Sequence, residues 1–233
     1  MSVVIYNWLL RKENIDTKTG RKVHLMTVGS LIGAARFDAV IWGSGIMNAV
    51  NLTNTVKHRR YVRYDIRAVR GPVTREFLMK AGYICPEVYG DPAVLMPFIY
   101  TSNSVDKIHE VSLVLHHQTK CPKVEDHINV LDIHTVDYKN FIDQLCASKK
   151  VISSSLHGII LAESYGIPAI FLNQNISDQS MKFLDWYYST GRTNIKMASS
   201  IQEALEMEPM ELPDLLKMQE ELIKTFPYDL WKN

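Results

Sequence analysis

Short apolar runs that stop at glycine, serine or arginine recur along the first half of the chain. Leu25 to Val28 runs into Gly29-Ser30, Ala39 to Trp42 into Gly43-Ser44-Gly45, and Ile66 to Val69 into Arg70-Gly71-Pro72. Each has the length of a buried strand with turn residues behind it. Val73, Phe77, Leu78 and Ala81 then fall at helical spacing, with Pro72 in the first turn and Gly82 as the stop. Val88-Tyr89 leads into Gly90-Asp91-Pro92. Pro97 to Asp106 has no apolar period and is rich in Ser, Thr and Asn, which predicts a linker.

The second half repeats the pattern. Val111 to Leu115 reads as a strand ending in His116-His117, and Ile128 to Leu131 as another ending in Asp132. Phe141, Ile142, Leu145 and Cys146 form a helical stripe. Val151-Ile152 reads as the end of a buried strand, and Ser153-Ser154-Ser155-Leu156-His157-Gly158 follows it. Ile159 to Tyr165 reads as an apolar helix stopped by Gly166-Ile167-Pro168, and Ala169 to Leu172 as a strand. Leu215, Met218, Leu222 and Phe226 close the chain at helical spacing. Strands alternating with helices predict α/β architecture with a doubly wound parallel sheet. Strand ends rich in Gly, Ser and Asp suit a sheet with a ligand edge. With the linker as divider, two halves are expected, residues 1–104 and 105–233.

Composition narrows the classes. The chain has 233 residues, 22% charged and 46% hydrophobic, as ordinary globular proteins do. Its net charge of +1 provides no whole-chain attraction to nucleic acid. Cys85, Cys121 and Cys146 are odd in number and widely spaced, which fits neither a disulfide framework nor a zinc site and favours a reducing compartment. Val3 to Leu10 is too short to span a membrane, and no charge precedes it as in a signal peptide.

The turn at 153–158 holds the most chemistry. Three hydroxyls, a histidine and a glycine stand where a strand meets a helix, and free N–H groups at a helix start attract anions. His157 is the candidate for proton or phosphate chemistry. Ser153, Ser154 and Ser155 are ligands or, equally well, helix caps. Arg70 ends a strand and can grip carboxylate or phosphate in two-pronged fashion. The ordinary alternative is a solvated basic run, Lys57, Arg59, Arg60, Arg63, Arg67, Arg70 and Arg75, against Asp65 and Glu76. His116 and His117 follow a strand, where alternation points neighbours to opposite faces, so at most one is expected to be catalytic. Asp91 is a turn residue by default. Gly43, Ser44 and Gly45 allow close backbone approach to a ligand but are too few for a dinucleotide fingerprint. Lys182, Asp185, Tyr187 and Tyr188 form a polar-aromatic cluster suited to a sugar or to plain packing.

Together these stretches resemble the polysaccharide pyruvyl transferase family. The resemblance rests on Thr27-Val28-Gly29-Ser30 with Ile41-Trp42-Gly43-Ser44-Gly45, Val69-Arg70-Gly71-Pro72, Tyr89-Gly90-Asp91-Pro92, the strand ending at His116, Val151 to Gly158 with Ala162 to Pro168, and Lys182 to Tyr188. These run in the family's order over most of residues 25–192. The resemblance implies two Rossmann-like halves in a GT-B-like arrangement. It implies transfer of pyruvate from phosphoenolpyruvate to a glycan or lipid-linked sugar, as a cyclic ketal. Arg70 and His157 then correspond to the donor-binding and catalytic pair in one cleft, and His116 to a further catalytic histidine. Gly43, Ser44, Gly45, Asp91, Ser153, Ser154, Ser155, Leu156, Gly158 and Lys182 are the implied substrate-binding set. Some members carry Arg where this chain has Ser155, a subfamily mark. Members usually open with a strand ending in an Asn-Phe-Gly-Asp-like turn. This chain opens near Asn7-Trp8-Leu9-Leu10, so a shortened N-terminal half is expected.

The residue types suit that chemistry. A ketal needs a proton delivered to the methylene carbon and protons removed from two hydroxyls, and histidine does both near neutral pH. No metal or other cofactor is expected, only phosphoenolpyruvate as donor substrate. Nucleic acid and stable membrane insertion are not expected. The expected location is the cytoplasm, including the inner face of the membrane. The alternatives are a GT-B-type glycosyltransferase acting on nucleotide sugars and a truncated, non-catalytic glycan-binding relative.

Overall fold

The computed structural model describes residues 1–16, 23–33, 37–58, 60–103, 106–173 and 180–232. The chain divides into two compact units. The first comprises Met1–Val94, Ser177–Thr193 and Asp214–Asn233, and the second Leu95–Ile176 and Asn194–Pro213. The expected boundary between 104 and 105 lies outside the described residues. A single cut there does not reproduce these units, because the chain returns twice to the first.

In the first unit, β1 (His24–Met26), β2 (Ala39–Trp42) and β3 (Tyr64–Ala68) pair in parallel in the order β1-β2-β3. Every residue of β2 is buried, as a strand covered on both faces requires. A parallel bridge from Val69 to Tyr89 extends the sheet edge. Two helices were not apparent from apolar spacing: α1 (Ser2–Lys12), which buries Ile5, Leu9 and Leu10, and α2 (Ala49–His58). The predicted helix is α3 (Pro72–Lys80), with Pro at its start and Gly82 beyond its end at φ +86°. Amides of Gly82 and Tyr83 satisfy its last carbonyls, at Met79 and Leu78.

The described part of the stretch expected to be a linker, up to Asn103, is helical at its start and hydrogen-bonded after it. Met96–Ile99 forms one short helix, α4, in the second unit. Tyr100, Ser102 and the amide of Asn103 all donate to Asp143. Asp143 lies on α5 (Tyr138–Cys146). Around them β4 (His109–Val114), β5 (Ile128–Val130), β6 (Ser148–Ser153), β7 (Ala169–Leu172) and β8 (Met197–Ala198) form an all-parallel sheet in the order β5-β4-β6-β7-β8. The apolar helix is α6 (Leu156–Ser164), ended by Gly166 at φ +73°. Its near-total burial explains why it lacks a polar face.

The two returns complete the first unit. The polar-aromatic cluster forms α7 (Ser180–Ser189), which buries Phe183, Asp185, Trp186 and Tyr187. A short helix in the second unit, α8 (Ile201–Glu206), precedes the closing helix α9 (Leu216–Thr225). The Trp42 indole donates to Leu222 O at 3.0 Å, and Phe226 meets the Trp42 ring edge-on. Among the described residues no helix is long and apolar enough to cross a membrane.

Candidate functional site

Strand order marks the place to look. In the second unit β5 lies on one side of β4 and β6 on the other, so the winding direction reverses between β4 and β6. Open α/β sheets bind ligands in the crevice beyond the carboxyl ends of such a pair. Here those ends carry His116-His117 and Ser153 to His157.

Two of the three serines build the turn. Ser153 Oγ donates within 2.8 Å of Val114 O and Ser155 O, and accepts from the Ser155 amide at 3.0 Å. Ser154 Oγ accepts from the His116 amide at 2.9 Å, while its own amide bonds Val114 O. These bonds fasten the start of α6 to the end of β4. Ser155 is the residue preceding α6, has extended backbone, and makes no side-chain cap bond. It is 6% exposed, and its hydroxyl stands at the helix N-terminus where free N–H groups favour an anion. Leu156 is buried beneath the turn. Gly158 is required sterically, since a Cβ there would lie 2.4 Å from Ser153 Oγ and 2.8 Å from Val114 Cγ1. That close approach lets α6 pack tightly on β4.

His157 occupies the first turn of α6 and is half-buried. His116 is buried and His117 exposed. Alternation does not separate these two, because both lie beyond the last strand residue, Val114. Their ring centroids are 4.2 Å apart. His116 Nδ1 accepts from the Gln118 amide at 3.4 Å, which leaves the proton of a neutral ring on Nε2. The second unit thus brings His116, the serine turn and His157 to one edge.

Arg70, Gly43, Ser44, Gly45, Asp91 and Lys182 belong to the first unit. Arg70 is fully buried. Its Nε donates to Asp185 Oδ2 at 3.0 Å, one terminal nitrogen to Ser30 Oγ at 2.7 Å, and the other to Ile46 O at 2.6 Å. Asp185 also accepts from the Thr74 amide and hydroxyl. The expected two-pronged grip on a donor therefore meets a guanidinium already bonded at all three nitrogens. The glycines around it serve this ion pair. A Cβ at Gly45 would lie 2.3 Å from Arg70 Cζ, and one at Gly71 2.0 Å from Asp185 O. Gly43, at φ +80°, makes room for Pro92. Ser44 Oγ closes a loop by donating to Gly29 O and accepting from the Leu31 amide. Asp91 caps the 3-10 turn Pro92–Leu95 by accepting from the Ala93 amide.

Lys182 lies one helical turn before Asp185 on α7 and is 6% exposed. Burial, and then the charge of Arg70, push its ammonium down to about 8. Cys85 differs in kind: burial pushes its thiol up to about 11, so it is no nucleophile near neutral pH. The link between Arg70 and Asp185 spans 115 positions of sequence, and no local pattern announces it.

The family model described as polysaccharide pyruvyl transferase matches residues 28–175, which include β2, Arg70, His116 and the serine turn. An uncharacterized protein of Acanthamoeba polyphaga mimivirus is 28% identical over 205 residues, 78% of this chain and 68% of that protein. The succinoglycan biosynthesis protein ExoV of Rhizobium meliloti (strain 1021) is 31% identical over 137 residues, 56% of this chain and 42% of ExoV.

Proposed function

The chain belongs to the polysaccharide pyruvyl transferase family, and from that membership we propose that it moves pyruvate from phosphoenolpyruvate to two hydroxyls of a sugar. The acceptor is a surface-polysaccharide or exopolysaccharide intermediate, free or lipid-linked, met in the cytoplasm. Similarity to a protein named for succinoglycan biosynthesis supports polysaccharide synthesis as the setting. A GT-B-like arrangement of the units is part of the same proposal, on family grounds.

The observation that carries the reading is the reversal of strand order between β4 and β6. It gathers His116, Ser155 and His157 at the carboxyl edge where such sheets hold ligands. The Ser155 hydroxyl and the first amides of α6 suit the phosphate of the donor. One histidine gives a proton to the methylene carbon, which becomes a methyl group. A sugar hydroxyl adds to the neighbouring carbon as its proton is taken up by a base. Phosphate then leaves, and the second hydroxyl closes the ring. Of the two hydroxyl protons, one ends on the methyl group and the other with the phosphate. Arg70 is assigned a positioning part, holding α7 and Lys182 through Asp185, in place of the direct fork expected from its residue type.

The test is release of inorganic phosphate from phosphoenolpyruvate in the presence of lipid-linked glycan acceptors. Wild-type protein is expected to release it, and His157→Ala to lose about 10²–10⁴ in rate with its melting curve unchanged. Wild-type turnover in the variant returns His157 to a structural role. Turnover of a nucleotide sugar without phosphoenolpyruvate favours the glycosyltransferase alternative instead.

A further inference from the structure

The opposite edge of the first sheet has a different chemistry. Because β1, β2 and β3 are parallel, their starts share one edge. The last turn of α2 and the loop into β3 reach the same edge, since the Tyr61 and Val62 amides bond His58 O and the Ala39 amide bonds Arg63 O. Lys57, Arg60 and Arg63 are all exposed there. Of the carboxylates beside them, Asp65 shares Arg67 with Asp229, and Asp38 accepts from the Arg63 amide while keeping its charge. Among the described residues the four cations Lys57, Arg60, Arg63 and Arg67 outnumber the three carboxylates Asp38, Asp65 and Asp229, so a small positive excess remains.

Large apolar side chains stand out from the same edge. Tyr61 is 82% exposed, Val56 47% and Phe37 43%. Phe37 and Arg63 also line a depression of about 630 Å³ together with Val23, Ala39, Asp38 and Asp65. Exposed aromatic and aliphatic groups cost solubility wherever they do nothing, and grouped beside lysine and arginine they match a membrane interface.

We infer that this edge is a docking surface for an anionic phospholipid bilayer. Lys57, Arg60 and Arg63 meet the lipid headgroups, and Tyr61, Val56 and Phe37 enter the interfacial layer. Nucleic acid would use the cations and the rings but has no use for an exposed Val56, so the bilayer is the better match. The strands' carboxyl ends, with Arg70, lie at the far edge of the sheet and stay clear of lipid. The inference rests on this surface alone and not on the transfer chemistry.

Co-sedimentation of the full chain with phosphatidylcholine vesicles, with and without phosphatidylglycerol, tests it. Binding is expected only to the anionic vesicles and should fall as salt rises. Each cation removed should weaken it about fivefold, so Lys57→Glu with Arg60→Glu should abolish it. Tyr61→Ser with Val56→Ser keeps the charge and should still weaken binding. These side chains are exposed, and the salt dependence of the wild type needs no variant. Equal binding to neutral vesicles, or wild-type binding by the charge-reversed variant, overturns the inference. So does an unaffected Tyr61→Ser, Val56→Ser variant together with tighter binding of a single-stranded oligonucleotide, which makes the edge a nucleic-acid surface.

Discussion

At the scale of single residues, the buried ion pair of Arg70 and Asp185 organises the carboxyl edge of the first sheet. Removing one partner of a buried pair leaves the other charge uncompensated, at a cost of about 3–5 kcal/mol. Asp185→Ala should therefore lower unfolding free energy by that order in urea titration, with Arg70 left facing Gly45. A loss below about 1 kcal/mol, the scale of exposed pairs, would mean that water reaches the site in solution. Lys182 gives a pH signature. Its folded pKa, about 8, lies below the ordinary 10.5. Between those values the unfolded chain holds a proton that the folded chain lacks, so stability should rise as pH climbs from about 8 to 10.5. Lys182→Met should raise the melting temperature at pH 7 and flatten that rise; an unchanged slope would show a solvated amine. The residue types at this edge were legible in the sequence, but their use was not. Glycines 43 and 45 read as room for a ligand, and they make room instead for Pro92 and Arg70. A partner 115 positions away leaves no mark on local sequence.

At the scale of elements, legibility followed how strongly each segment was buried. The strands Ala39–Trp42 and Ala169–Leu172 stand where their apolar runs place them, because strands buried on both faces are continuous in sequence. The helices α1, α2 and α7 are not legible as apolar stripes. The charges at the end of α2 read as a solvated run, and α7 buries Lys182 and Asp185 among its aromatics, which blurs the apolar stripe. The Ser153–Gly158 turn was legible as a strand-to-helix junction, yet the division of labour among its serines is a matter of geometry. That division gives a contrast. Ser153→Ala strips bonds from Val114 O and the Ser155 amide, and should cost about 1–3 kcal/mol of stability. Ser155→Ala should be neutral to within about 0.5 kcal/mol, and should weaken phosphoenolpyruvate binding in calorimetric titration. Equal stability losses in the two variants would show that the Ser155 hydroxyl has a structural bond of its own.

At the scale of the whole molecule, the path of the chain decides what each unit needs. The second unit carries its strand reversal, its histidines and its serine turn on one sheet. The first cannot be completed from its own N-terminal stretch. α7 brings Asp185 to Arg70, and the last segment brings α9 to Trp42. Leu215, Leu222, Phe226 and Leu230 are buried there, and Arg67 reaches Asp229 as well as Asp65. At about 1.5–3 kcal/mol for each large apolar side chain, four of them rival the roughly 5–15 kcal/mol that holds an ordinary domain together. A chain ending at Pro213 should therefore lose amide protection throughout β1, β2 and β3. Protection in β4, β6 and β7 should persist, because their ladder partners and the core cluster of Leu113, Ile152 and Ile170 come from residues before 214. Hydrogen exchange read strand by strand separates the outcomes. Selective loss in the first sheet supports two cooperative units with a shared thread of chain. Uniform loss in both sheets would show that the molecule unfolds as one.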